Sequence, residues 1–204
     1  MLVVVDYGLG NLRSVKKALE KAGAEVVISS EPSMLEMADG IVLPGVGAFR
    51  DGMENLSELS ECIKREAEHG KPLLGICLGM QMLLTESEEG GVYEGLDIIP
   101  GKVVRFESKG NNRDNKIPHM GWNSIKIKEN HWILDGVEDN SYFYFVHSYY
   151  ARVASSYEVA SCTYITDFSA VIATKNVVGT QFHPEKSGDT GLRILHNFVR
   201  ECRR

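Results

Sequence analysis

Through the first 84 residues, short apolar runs alternate with amphipathic stretches, and this alternation constrains the fold more than any other feature of the chain. The runs Leu2 to Asp6, Glu25 to Ser29, Gly40 to Leu43 and Leu73 to Ile76 are strand candidates. An apolar run without polar alternation marks a strand covered on both faces. Between the runs, Asn11 to Ala22 places Leu12, Val15, Leu19 and Ala22 at helical spacing and stops at Gly23. Asp51 to Glu68 repeats the pattern with Met53, Leu56, Leu59, Ile63 and Ala67, ahead of Gly70 and Pro72. Leu78 to Leu84 also reads as helix. Strands that alternate with helices in this way predict βαβ units and a parallel sheet.

The second half has a different rhythm. Val103 to Val104, Ile125 to Ile127, Tyr142 to Ser148, Tyr157 to Tyr164, Ala170 to Thr174 and Val177 to Phe182 are strand-like, and Asp189 to Cys202 is a closing helix with Leu192, Leu195, Phe198 and Val199 on one face. The polar stretch from Ser108 to Lys116 predicts an exposed loop. No repeat, low-complexity tract or linker divides the chain. The expectation is a single α/β domain over residues 1–204: a mainly parallel central sheet flanked by helices, with an added antiparallel section.

A chain of 204 residues buries about 70% of its unfolded surface and needs no metal or disulfide staple. Its net charge of −6 argues against a nucleic-acid or anionic-membrane partner. No apolar run approaches the roughly 20 residues of a membrane span, and the first residues carry no signal-type pattern, so the expected location is cytoplasmic. The cysteines at 62, 77, 162 and 202 form no C-x-x-C and no zinc pattern with histidine. Free thiols are therefore expected, with no metal and no cofactor.

One of those cysteines stands apart. Leu73 to Gln81 reads as a buried strand, then Gly75-x-Cys77-x-Gly79, then a helix. That is the cysteine form of a nucleophile elbow, in which a sharp strand-to-helix turn holds the nucleophile at the strand's carboxyl end and the helix N-terminus favours a thiolate. A lone cysteine is more often a small buried hydrophobe; the flanking glycines and the strand–turn–helix context favour the nucleophile. A base is available in Gln181-Phe182-His183-Pro184-Glu185. Extended backbone puts residues i and i+2 on one side, so Glu185 could hold the His183 imidazole in one tautomer. The bland reading is a strand-end histidine beside a solvated glutamate. Pro44-Gly45-Val46-Gly47 closes another buried run, and its amides around Val46, with that of Leu78, could hold an oxyanion; alone, such a motif is usually only a turn. Gly8-Leu9-Gly10 begins like a dinucleotide fingerprint, but Arg13 stands where the third glycine belongs, and a tight βα turn is the better reading.

Taken together, these segments resemble the class I, triad-type glutamine amidotransferases, which carry an elbow, an oxyanion strand and a His-Pro-Glu in this order. Asp6 to Ser14, Pro44 to Phe49, Pro118 to Asn123, Tyr144 to Tyr149 and Gln181 to Ser187 are similar to the glutaminase subunits of imidazole glycerol phosphate synthases within that family, and Pro118 to Asn123 discriminates most. The resemblance implies a class I glutaminase-like fold and a set of roles. Cys77 would be the nucleophile, His183 the general base and acid, and Glu185 its orienter. Gly45, Val46 and Leu78 would supply the oxyanion-hole backbone. Gln81, Glu89 and the backbone at Ser148 and Tyr149 would bind L-glutamine. Asn11, His119, Met120, Trp122 and Tyr144 would face a partner subunit, although a structural role on the sheet is the bland reading for His119 and Trp122.

The chemistry so implied is hydrolysis of glutamine through a γ-glutamyl thioester. A (β/α)8 barrel takes about 250 residues, so the acceptor site is expected on another chain. The resemblance makes that chain a cyclase barrel, paired as a heterodimer, which receives ammonia and forms imidazole glycerol phosphate and AICAR in histidine biosynthesis. The competing readings are a glutaminase serving guanylate or anthranilate synthesis, an intracellular cysteine peptidase and a non-catalytic binding subunit. In family members Ile165 is often replaced by a turn glycine.

Overall fold

In the computed structural model, residues 1–107 and 116–204 are described, so all of the predicted loop from Ser108 to Lys116 except the exposed Lys116 lies outside the described residues. The chain runs β1 (Leu2–Val5), α1 (Leu12–Lys21), β2 (Val26–Ser29), α2 (Pro32–Met37), β3 (Gly40–Gly45), α3 (Phe49–Glu68), β4 (Leu73–Cys77) and α4 (Leu78–Met82). Then come β5 (Leu84–Ser87), β6 (Tyr93–Glu94), β7 (Ile99–Arg105), β8 (His119–Ile127), β9 (Tyr142–His147) and β10 (Tyr149–Val153). The order closes with β11 (Glu158–Thr163), β12 (Asp167–Ala173), β13 (Val177–Thr180) and α5 (Gly188–Glu201).

Among the described residues a nine-stranded sheet has the order β2-β1-β3-β4-β13-β12-β11-β8-β9. The first five strands are parallel and the last four antiparallel. This is the expected α/β architecture, with an antiparallel section nearly as large as the parallel one. β13 is the seam: it pairs parallel with β4 and antiparallel with β12. A second sheet, β10-β7-β5-β6, lies apart.

The continuous apolar runs have the predicted consequence. Every residue of β1, β3, β4 and β13 is buried, and successive side chains go to opposite faces. Leu2, Val4, Val42, Leu74 and Val178 pack on one side with Leu19 of α1 and Leu195 and Phe198 of α5. Val3, Val5, Ile41, Leu43, Leu73 and Val177 pack on the other with Leu56 and Ile63 of α3 and with Ile99 and Val103 of the smaller sheet. Each large side chain so covered contributes about 1.5–3 kcal/mol.

Several elements escaped the sequence pattern. α2, β5, β6 and β10 are short or half-covered, so no period shows. β8 extends over nine residues, from His119; its first half shows no polar-out alternation, since Met120 and Trp122 are exposed apolar residues. Ile165 does not adopt a positive φ, so that turn needs no glycine.

Candidate active site

Parallel neighbours place the first pair of reactive groups. Ile76 on β4 lies opposite Thr180 on β13, so Cys77, the last residue of β4, and His183, three residues past β13, come to the same edge. This is where open α/β sheets hold their ligands. Cys77 has φ 55° and ψ −107°, a strained conformation for a residue with a side chain. The following glycine makes the turn possible by close approach, since a Cβ on Gly79 would lie 1.8 Å from the Leu43 carbonyl oxygen. α4 is only five residues long, shorter than the predicted Leu78 to Leu84, so its dipole is a small contribution to the elbow.

His183 Nδ1 lies 2.8 Å from Glu185 Oε1. The side chains are 2% and 1% exposed. The sequence suggests extended backbone between them; instead Pro184–Lys186 forms a 3-10 turn with Pro184 at its first position, where a fixed φ and a missing N–H cost nothing. Burial opposes protonation of His183, but Cys77 and Glu185 outweigh it and raise the pKa to about 9. Nε2 is buried with no hydrogen-bond partner.

In front of Cys77 lies a cavity of about 360 Å³, within the range of small-ligand sites. Val46, Cys77, Leu78, Gln81 and Glu89 line one part of it, and Ser148 and Tyr149 another. Glu89 is held there by an unforeseen contact: its Oε2 accepts the Phe49 N–H at 2.8 Å, at the start of α3. Gln81 Nε2 donates to the Tyr149 carbonyl at 3.0 Å and to Gln181 Oε1 at 3.1 Å. The arrangement offers a thiol, a paired imidazole, backbone amides and a cavity with a few polar groups in its lining, which suits covalent attack on a small carbonyl compound.

The family model for "Glutamine amidotransferase class-I" matches residues 3–202. The chain belongs to the class I glutamine amidotransferases. It is 53% identical over 203 residues to the imidazole glycerol phosphate synthase subunit HisH of Methanosarcina barkeri, covering 98% of each chain. It is 54% identical over 203 residues to the subunit of the same name from Methanosarcina acetivorans, again with 98% of each covered. A crystal structure of a glutamine amidotransferase superimposes with a TM-score of 0.76 over 99% of each chain at 19% identity, a likeness of fold.

Gln181 was missed as a site residue of this amidotransferase. It is fully buried, and its Nε2 donates to Cys77 Sγ at 3.8 Å. Its place two residues before His183 was the available signal. The remaining thiols are unlike Cys77 in setting. All four cysteines are free and buried, and burial is the main reason the pKa values of Cys162 and Cys202 rise to about 12 and that of Cys62 rises. Among the described residues no group of side chains has the make-up of a metal site, and no helix is long and apolar enough to cross a membrane.

The residues expected to face a partner divide. Met120 is 63% and Trp122 56% exposed, Asn11 is exposed and Tyr144 half-buried. Trp122 meets Tyr144 edge to face at 6.2 Å, and Lys186 Nζ stands 5.9 Å from the Tyr144 ring centre. Tyr142, which the sequence did not single out, is 61% exposed on the same strand. His119 must be corrected: it is 2% exposed and points inward from β8, stacked on Phe145 and Tyr164, so its side chain is not part of that surface.

Inside, His119 joins a hydrogen-bonded series. His147 Nδ1 lies 2.8 Å from the Tyr149 carbonyl, which can only accept, so that nitrogen carries the proton. His147 Nε2 then accepts from His119 Nδ1 at 3.0 Å, and His119 Nε2 accepts from Asn123 Nδ2 at 3.2 Å. Burial lowers the pKa of His119 to about 4 and that of His147 to about 3, keeping both rings neutral. At the sheet edge, Tyr144 O accepts the His183 N–H at 2.9 Å. The Tyr144 N–H donates to Ser187 Oγ at 3.0 Å.

Proposed function

We propose that this amidotransferase is the glutaminase subunit of an imidazole glycerol phosphate synthase, a folding unit spanning residues 1–204 that hydrolyses glutamine and hands the ammonia to a cyclase partner. The observation that carries the reading is a strained Cys77 lining a cavity of ligand size, with an otherwise unpartnered His183 Nε2 and the Glu185 carboxylate, in a chain about half identical to such subunits over its full length.

In this reading the Cys77 thiolate attacks the glutamine carboxamide carbon, and the amides of Gly45, Val46 and Leu78 supply the oxyanion site. The His183 imidazolium protonates the departing ammonia, leaving a γ-glutamyl thioester. His183 then takes a proton from water, which attacks the thioester and releases glutamate and the thiol. Glu185 holds Nδ1–H and so keeps Nε2 directed at the reacting atoms. Gln81 and Glu89 bind the amino-acid end, Glu89 through the α-ammonium, and the backbone at Ser148 and Tyr149 binds the α-carboxylate.

Ammonia released into water at neutral pH would become ammonium, which is not a nucleophile, so a docked acceptor is required. Met120, Trp122, Tyr144 and Asn11 form the docking face for a (β/α)8-barrel cyclase, in a heterodimer that makes imidazole glycerol phosphate and AICAR in histidine biosynthesis. Four free thiols suit the reducing cytoplasm. Glutaminase assay of the complex with a cyclase subunit tests this reading. Cys77→Ala is expected to abolish glutamate release, and retained turnover would remove Cys77 from the nucleophile's role.

A further inference from the structure

Tyr7 follows β1 and is 6% exposed. Its hydroxyl donates to the Pro44 carbonyl oxygen at 2.6 Å in a buried bond. That carbonyl belongs to the peptide just before the Gly45–Val46 bond, whose N–H is assigned above to the oxyanion. Gly45 is closely confined: a Cβ there would lie 2.6 Å from Tyr7 Oη, 2.8 Å from Leu78 Cβ and 2.9 Å from the Gly79 nitrogen. The other end of the turn is the opposite. Gly47 has φ +108° and nothing within 4 Å of where a Cβ would stand, and Val46 is 39% exposed. The turn is thus held at Pro44 and free at Gly47.

We propose that Tyr7 is a positioning residue for the oxyanion turn: its hydroxyl pins the Pro44 carbonyl and thereby sets the direction in which the Val46 N–H meets the reacting oxygen. Tyr7 is not among the residues lining the cavity, so it acts through the backbone and not on substrate. Burial, and then the charge of Cys77, push its phenol above the usual tyrosine range, which keeps the hydroxyl a donor wherever the enzyme works. The proposal rests on the glutaminase reading, and its test must separate the two.

Glutamate release by the complex with a cyclase subunit is measured for wild type, Tyr7→Phe and Cys77→Ala, together with the rate at which iodoacetamide alkylates Cys77. Removal of an oxyanion donor costs about 10²–10³ in kcat, and a donor that is misdirected rather than lost should cost about tenfold. Tyr7→Phe is therefore expected to lower kcat about tenfold with KM within about twofold of wild type, because only transition-state binding is weakened. Alkylation needs no oxyanion site and should stay within about twofold. Amide exchange across residues 43–48 should quicken. Tyr7→Leu, a second non-donating variant, is expected to show the same split and serves in place of Tyr7→Phe should that protein not fold. An unchanged kcat, or a kcat loss matched by an equal loss of alkylation rate, would overturn the role of Tyr7. An inactive wild-type complex, or an active Cys77→Ala complex, would instead overturn the glutaminase reading.

Discussion

Two buried histidine clusters lie close together in this protein, and they hold their protons in opposite ways. At the seam strand's end, His183 faces Glu185 and Cys77 and its pKa is raised to about 9. One sheet edge away, His119 and His147 face each other, an amide and a backbone carbonyl, and theirs fall to about 4 and about 3. Burial acts in the same direction on all three rings. The partner decides the outcome: two groups able to carry negative charge make the first a proton store, whereas in the second the Tyr149 carbonyl opposes burial of His147 without offsetting it. A buried histidine is therefore not a reactive one by position alone. The charge beside it makes the difference.

The strongest way to break that contrast is to remove the charge at the first cluster. Glu185→Gln retains shape while depriving His183 of its anion, and kcat for glutamine hydrolysis is expected to fall about 10³–10⁴-fold. The alkaline limb of the rate profile should move to lower pH at the same time. A loss of kcat below about tenfold would show that Cys77 suffices to orient the ring.

At the second cluster the expected effect is on structure. His147→Phe leaves His119 Nδ1 without its acceptor and removes one of the two donors to the Tyr149 carbonyl. Stability should drop by about 1–3 kcal/mol, read from urea unfolding, and KM for glutamine should rise through the Tyr149 backbone. A KM equal to wild type would detach the histidine series from the cavity.

The pH dependence of stability is the most diagnostic. His183 binds its proton more tightly folded than unfolded, so its contribution to stability is complete below about pH 6.5 and is lost as pH rises through about 9. The His119–His147 pair does the reverse: both rings stay neutral in the folded protein while the unfolded chain takes up protons, so stability is lost as pH falls from about 6.5 toward about 4 and about 3. Urea midpoints across pH 4 to 9.5 should therefore decline on both sides, the acid decline shrinking in His147→Phe. An unaltered acid decline would place its origin in other groups.

Much of this was legible in the residues. The parallel strands announced themselves because burial on both faces demands an unbroken apolar run, and Gly75, Cys77 and Gly79 because only such a spacing permits the turn. His183 and Glu185 could be paired from their separation, although the 3-10 turn joining them could not. What stayed hidden depended on distance along the chain. Gln181 reaches Cys77, Glu89 reaches the start of α3 and Tyr7 reaches Pro44, each across a fold whose register no local pattern records. His119 was misplaced because the motif containing it reads as one surface, whereas a strand sends alternate residues to opposite sides.

The bonds at Tyr144 have a consequence for how the molecule behaves in a crowded solution. β9 ends the nine-stranded sheet, and a terminal strand with outward-facing amides and carbonyls invites strand addition by another chain. At Tyr144 both outward groups are taken, one by the His183 N–H and one by Ser187 Oγ. The turn that carries the imidazole therefore also blunts the sheet's edge. Loosening that turn would uncover two backbone groups at the sheet's edge and open it to strand addition.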